Sequence, residues 1–242
     1  MWKPKIVELP EPCGCLNKEV VHGVVICVEK CRFHKLESTD PKTLGEDYYQ
    51  RCLGLNIQQV LLGTSPHVDE MREALGDFPD RPGALALEIG GGCSPYLAQL
   101  TRRGYRPTVV EPSDYAAGWC ETRFGADRIA GDWLTAAQRV TPGDGRQKYD
   151  LILSAHSLEH MEAPVYCIEK MAHWLAPNGL LYLLVPEGTD RTNPDHWAFF
   201  TAISLRKSVE STGLAVEVCV VRSIMKHERF IYLRARKQKT NE

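Results

Sequence analysis

Residues Leu87 to Leu97 read LEIGGGCSPYL, an apolar strand end that breaks into three glycines and then a proline suited to the first turn of a helix. Gly90, Gly91 and Gly92 permit backbone geometry that other residues avoid, and they let a ligand approach the main chain. The exposed N–H groups of such a turn favour an anion, either a pyrophosphate or a carboxylate. The dinucleotide fingerprint G-x-G-x-x-G requires a glycine where this chain has Pro95, so the match to a nicotinamide cofactor site is incomplete. Glu88, just ahead of the glycines, would repel a pyrophosphate but can accept a hydrogen bond from an ammonium group. A ligand carrying both ammonium and carboxylate suits this turn better than a dinucleotide does.

Outward from the turn, short apolar runs alternate with helical periods. ALALEI, RPTVVE, YDLILSA and GLLYLLV are the candidate strands. Leu97 and Leu100 mark a helix that closes at Gly104, and Val165, Ile168, Met171, Ala172 and Leu175 follow helical spacing after Pro164. This alternation predicts an α/β fold, a parallel sheet with helices on both faces. The end of the chain differs: LAVEVCVV and RFIYLRAR are separated only by a short loop and should pair antiparallel.

Ligands of such sheets bind outside the carboxyl ends of the strands, and two more acidic residues fall there. Glu111, at the end of TVVEPS, stands 23 residues beyond Glu88, where a carboxylate can bind both hydroxyls of a ribose. Asp132 and Trp133 follow what reads as a third short strand, RIAGDWL; the Asp can accept from an adenine amino group and the Trp can supply an apolar wall. Amino acid, ribose and adenine together describe S-adenosylmethionine.

From about Leu85 to Arg236 the chain resembles the class I S-adenosylmethionine-dependent methyltransferases. LEIGGGCSPYL is similar to the first motif of that family, VVEPS to the second, AGDW to the third, and YDLILSAHSLEHM to the fourth; WLAPNGLLYLLVP and DHWAFFT resemble later segments. The resemblance implies a Rossmann-like seven-stranded sheet with an antiparallel last strand, and cofactor contacts that include Pro112 in the second motif and Ser154 in the fourth. Two positions depart from the family pattern. Ser94 stands where many members have the last glycine of the first motif, and Asn178 replaces the first of two glycines in a later turn.

The fourth motif contains His156-x-x-Glu159-His160, a spacing that on a regular helix would suit a zinc protease. Here it follows a strand, so a loop is expected and a protease is not. His156 is the first candidate for a base that takes the acceptor's proton. Glu159 and His160 either assist it or only brace the loop. With His196, these residues also resemble the divalent-metal site of RNA 3′-terminal 2′-O-methyltransferases, except that His156 stands where that subfamily carries a glutamate. His196 and Trp197 have the alternative role of closing the cofactor cleft.

Near the start, Cys13-Gly14-Cys15 and Cys31-Arg32-Phe33-His34 flank EVVHGVVICVEK, which reads as two short strands about His22-Gly23. A hairpin would bring Cys13, Cys15, Cys31 and His34 together as four ligands for a structural zinc. The other cysteines read as packed thiols. Three regions are expected: a Cys/His module over 1–35, a helical segment over 36–82 and a methyltransferase domain over 83–242. With 242 residues, 43% of them apolar, and a formal charge of −2, the chain can bury a substantial core and gives no global reason to bind nucleic acid or an anionic membrane. A small-molecule acceptor is favoured over nucleic acid. The cytoplasm is the expected setting, since no signal peptide or membrane-spanning run is visible. A cofactor-binding scaffold without catalysis is the competing class.

Overall fold

The structure is a computed structural model that describes residues 5–6, 18–27, 45, 57–64, 66–139, 148–188, 195–225 and 228–238. Cys13, Cys15, Cys31 and His34 lie outside the described residues. So does much of the helical segment expected over 36–82, of which α1 (Ile57–Leu62) is described.

Seven strands form the main sheet: β4 (Leu85–Ile89), β5 (Arg106–Glu111), β6 (Asp127–Ala130), β7 (Tyr149–Ala155), β8 (Leu175–Pro186), β10 (Ala215–Met225) and β11 (Glu228–Arg236), in the order β10-β11-β8-β7-β4-β5-β6. Strands β4 to β8 pair in parallel, whereas β11 lies antiparallel to both β8 and β10. The terminal hairpin is tighter than RSIMKHE suggests, because β10 runs to Met225 and β11 begins at Glu228. Both faces of the sheet are covered. Leu181, Leu183 and Val185 of β8 enter one apolar cluster while Leu180, Tyr182 and Leu184 enter the other. Burial on both faces explains why this strand reads as a continuous apolar run rather than an alternation.

The helices are α2 (Pro66–Leu75), α3 (Pro95–Arg102), α4 (Asp114–Phe124), α5 (Trp133–Arg139), α6 (Pro164–Trp174) and α7 (Ala202–Glu210). Val68, Met71 and Leu75 of α2 are buried on one face, as their spacing predicts. No apolar stripe announces α4, whose buried residues are the small Ala116, Ala117 and Cys120. Asn178 adopts a left-handed backbone, φ 62°. An asparagine tolerates that geometry, so the departure from glycine there costs little. None of the described helices is long and apolar enough to cross a membrane.

A second, four-stranded sheet was not anticipated. β2 (Lys18–Val21) and β3 (Val24–Cys27) make the hairpin read from the sequence, β1 (Lys5–Ile6) pairs with β2, and β3 pairs antiparallel with β9 (Ala198–Phe199). Val24 is fully buried in a main-sheet cluster. The N-terminal hairpin is thus hydrogen-bonded to the strap of chain that carries His196.

Candidate active site

The glycine turn leaves β4 at its carboxyl end and is shaped by carboxylates on either side. Gly90 has φ 70°, and a Cβ built on it would lie 2.0 Å from the Ser157 hydroxyl, so only glycine fits between the turn and the loop after β7. Glu111, at the end of β5, accepts the N–H of Gly92 at one carboxylate oxygen and that of Ser113 at the other, each at 2.9 Å. Two backbone donors hold this buried carboxylate at the lip of the turn. The Cys120 thiol donates to the Gly92 carbonyl from α4, so the small face of that helix buttresses the turn.

Ser94 accounts for its own departure from the family pattern. Its hydroxyl donates to Glu88 Oε1 at 2.7 Å and accepts from the N–H groups of Tyr96 and Leu97, capping α3 while fixing Glu88. Glu88 Oε2 is buried and has no hydrogen-bond partner among the described residues. Burial pushes the Glu88 carboxyl up to about 8; the Ser94 hydrogen bond opposes this and the charge of Glu111 adds to it. An orphaned buried acceptor of this kind fits the ammonium group of an amino-acid ligand.

The raised value sets a pH dependence. A carboxyl held above its ordinary range contributes stability that is complete below about pH 4.5 and is lost as pH rises through about 8. Urea unfolding of the apo protein should therefore show a steeper loss between pH 5 and 8 than Glu88→Gln does, the difference being on the order of 4 kcal/mol. Equal slopes in the two proteins would contradict the buried, orphaned carboxyl.

Further along the carboxyl edge, the Gly131 N–H donates to the Glu111 carbonyl, which brings Asp132 beside the second acidic residue at the start of α5. The Asp132 side chain is exposed. Trp133 is buried, its ring edge-on to Tyr166 at 5.7 Å, so most of it belongs to the core. Pro112 follows Glu111 in the turn toward α4 and is half-buried. Ser154 is fully buried near the end of β7, and its hydroxyl has no partner among the described residues.

The loop after β7 contains no regular helix. His156 has φ 52°, and a single 3₁₀ turn covers Leu158–His160, so His156 and His160 do not share a helical face as a zinc protease requires. Glu159 is 2% exposed, with its Oε2 unpartnered among the described residues. Burial pushes its carboxyl up to about 8, opposed by its own backbone N–H. Glu159 Oε1 lies 3.9 Å from His156 Nδ1 and 3.9 Å from His160 Nε2. The His156 ring also meets Phe230 of β11 edge-on at 5.0 Å. His196 joins from the strap: its ring centroid is 4.9 Å from that of His160, and the Trp197 N–H donates to the Glu159 carbonyl at 2.7 Å.

Sequence reasoning missed Ser157, Phe230 and the support given by Cys120. The Gly90 contact of Ser157 follows from the fold alone. The apolar alternation of RFIYLRAR marked Phe230 as a strand residue without indicating which loop it would meet.

A seven-stranded sheet of this order, with acidic residues at the ends of its first two strands and a glycine turn between them, defines the class I methyltransferase fold. Residues 67–218 match the family described as a methyltransferase domain, and the chain belongs to that family. An uncharacterized protein of Mycobacterium tuberculosis is 28% identical over 127 residues, which are 49% of this chain and 40% of that one. The chain thus spans about two fifths of the length of the curated relatives it matches. Three solved structures share the fold. The N1-methyltransferase of 1,6-didemethyltoxoflavin from Burkholderia thailandensis, bound to that substrate and S-adenosylhomocysteine, has a TM-score of 0.57 at 17% identity, over 89% of this chain and 96% of its own. An S-adenosylmethionine-dependent methyltransferase of Mesorhizobium loti scores 0.56 at 13% identity, over 73% of this chain and 100% of its own. The cyclase SpnF scores 0.58 at 14% identity, over 84% of this chain and 98% of its own.

Proposed function

We propose that the protein transfers a methyl group from S-adenosylmethionine to a hydroxyl or amine of a small molecule. The observation that carries this reading is the pair of fixed carboxylates about the glycine turn: Glu88 with one oxygen orphaned, and Glu111 locked by two backbone donors. In this reading Glu88 takes the ammonium group, Gly90, Gly91 and Gly92 admit the carboxylate end, and Glu111 with Pro112 takes the ribose. Asp132, Trp133 and Ser154 complete the contacts. The cofactor supplies an electrophilic methyl carbon on a sulfonium; as the acceptor's lone pair forms the new bond, the carbon–sulfur pair returns to sulfur. The chain's own contribution is alignment and proton removal.

His156 is the proposed base. It stands at the end of β7, and its left-handed backbone turns the chain at the point where the strand gives way to the loop. Glu159, 3.9 Å away, is placed to orient the ring. A structural zinc held by Cys13, Cys15, Cys31 and His34, and a cytoplasmic setting, belong to the same proposal.

Methyl-labelled S-adenosylmethionine, incubated with a panel of phenols, alcohols, amines and a single-stranded RNA with a free 3′ ribose, tests it. Label should enter a small hydroxyl or amine, and His156→Ala should lower the rate by about 10²–10⁴-fold for a hydroxyl acceptor. Label in the RNA alone would replace the acceptor class. Failure of the folded protein to bind S-adenosylhomocysteine would overturn the reading itself.

A further inference from the structure

We propose that an ammonium group enters the glycine turn only as Glu88 gives up a proton, and that the Tyr96 hydroxyl is the positioning group that holds the carboxylate left behind. This rests on the reading above, in which Glu88 meets the ammonium end of S-adenosylmethionine. The coupling to a proton and the part of Tyr96 go beyond it.

The geometry starts from Ser94. Its hydroxyl donates to Glu88 Oε1 and accepts from the N–H of Tyr96, so the carboxyl and the first turn of α3 are fixed to the same atom. Glu88 Oε2 and the Tyr96 hydroxyl are both buried and have no hydrogen-bond partner among the described residues. The charge of Glu88 acts on the Tyr96 phenol, as does that of Tyr232 from β11, whose hydroxyl is a third buried orphan. Native structures seldom leave buried polar atoms unmatched. Three of them gathered behind the glycine turn mark a place that is completed when a charged ligand arrives.

The surroundings decide the charge state. Among the described residues, the titratable side chains that face Glu88 are Glu111 from β5, Tyr96 from α3 and Cys120 from α4, with Cys93 of the turn beside Cys120. Leu153 of β7 pairs with Glu88 and brings no charge. Behind Tyr96 stands Tyr232, on which Glu70 of α2 and Arg222 of β10 act. None of the side chains that face the carboxyl can become positive, so none balances a carboxylate there, and burial pushes the group up to about 8. At neutral pH the empty site therefore holds the acid form. An ammonium group supplies the missing counter-charge. As it arrives the Glu88 O–H bond breaks, the proton passes to bulk water, and the carboxylate accepts from the ammonium nitrogen. Burial pushes the Tyr96 phenol well above its ordinary range, so it stays neutral throughout and donates a hydrogen bond to the new carboxylate.

The test is calorimetric titration of the full-length chain with S-adenosylhomocysteine between about pH 6 and 9, in pairs of buffers of unlike ionisation enthalpy. Wild type should release close to one proton per ligand at neutral pH and below, its affinity rising about tenfold per pH unit and levelling near pH 8. Methylthioadenosine, which keeps the adenosine and lacks the amino acid, should bind without releasing a proton. Glu88→Gln should bind S-adenosylhomocysteine more weakly at pH 8, with a flat profile. Tyr96→Phe keeps the buried ring and removes the donor. It should still release the proton but bind about 10- to 100-fold more weakly at neutral pH, with the levelling moved upward so that the deficit narrows toward the alkaline end. A deficit of equal size at every pH would make Tyr96 a packing residue and overturn its part. Saturable binding by wild type without proton release, or the same release with methylthioadenosine, overturns the coupling and leaves the methyltransferase reading standing. Absence of saturable binding by the folded wild type overturns both.

Discussion

Glu111→Ala should weaken S-adenosylhomocysteine binding by about 100- to 1,000-fold while leaving the protein folded. The substitution removes two kinds of interaction at once. A carboxylate that accepts from ribose hydroxyls contributes roughly 1.5–3 kcal/mol per charge-assisted bond, and each 1.4 kcal/mol is tenfold in affinity. The same oxygens also hold the N–H groups of Gly92 and Ser113, so their loss loosens the turn that the ligand must meet. Glu111→Gln should fall between alanine and wild type, because its amide can still accept one of those N–H groups but presents a donor to the other. Isothermal calorimetry on the three proteins decides the matter. An affinity for the alanine variant within threefold of wild type would remove Glu111 from the site.

Gly90→Ala should have the second large effect, felt in stability as well as binding. Two costs combine. A left-handed backbone at φ 70° disfavours a Cβ by about 1–2 kcal/mol, and the new atom would stand 2.0 Å from Ser157 Oγ and 2.6 Å from Ser157 Cβ. Ser157 must move, and with it the loop that holds Glu159. Thermal unfolding should show a loss of roughly 2–4 kcal/mol, and saturable binding of S-adenosylhomocysteine should disappear at concentrations that fill wild type. Adding Ser157→Gly removes the collision but not the backbone strain, so the double variant should recover part of the stability. No recovery would mean that Ser157 is not what excludes a side chain at Gly90.

The parts of this fold that could be read from the chain are those that short-range chemistry encodes. Strands buried on both faces appear as apolar runs, RPTVVE and YDLILSA among them; Pro95 and Pro164 each open a helix; and LAVEVCVV with RFIYLRAR forms the antiparallel end. What stayed hidden depends on distant partners. Nothing in VVIC indicates that it will pair with Ala198 and Phe199, because the apolar pattern states that a strand is half-buried and not against what. α4 was missed because its buried face is built from alanine and cysteine, small enough to lie against the glycine turn but too weakly apolar to make a stripe.

The site divides in the same way. The places of Glu88 and Glu111 beside the glycine turn were legible because they depend on spacing from it. That Ser94 would hold Glu88 was not, since a serine in place of a glycine signals only a departure until its hydroxyl is seen to bridge the carboxylate and the helix start. Glu159, His160 and His196 were each legible as chemistry-bearing residues. Their approach to within 4.8 Å follows from the strap, which is held from one side by the 3₁₀ turn and from the other by the N-terminal hairpin.

The pairing of β3 with β9 also has a consequence for how the molecule is assembled during synthesis. Every loop of the glycine-turn side, from Glu88 to Ser157, precedes Ala198 and Phe199 in the chain, and the strands that carry these loops pair among near neighbours. The hairpin precedes them in the chain and must wait for them, its edge unpaired with β9 until they are made. Long-range pairing of this kind is slow to form. A nascent chain should therefore acquire its glycine turn and carboxylates before it closes the wall around His196, which must await Ala198 and Phe199.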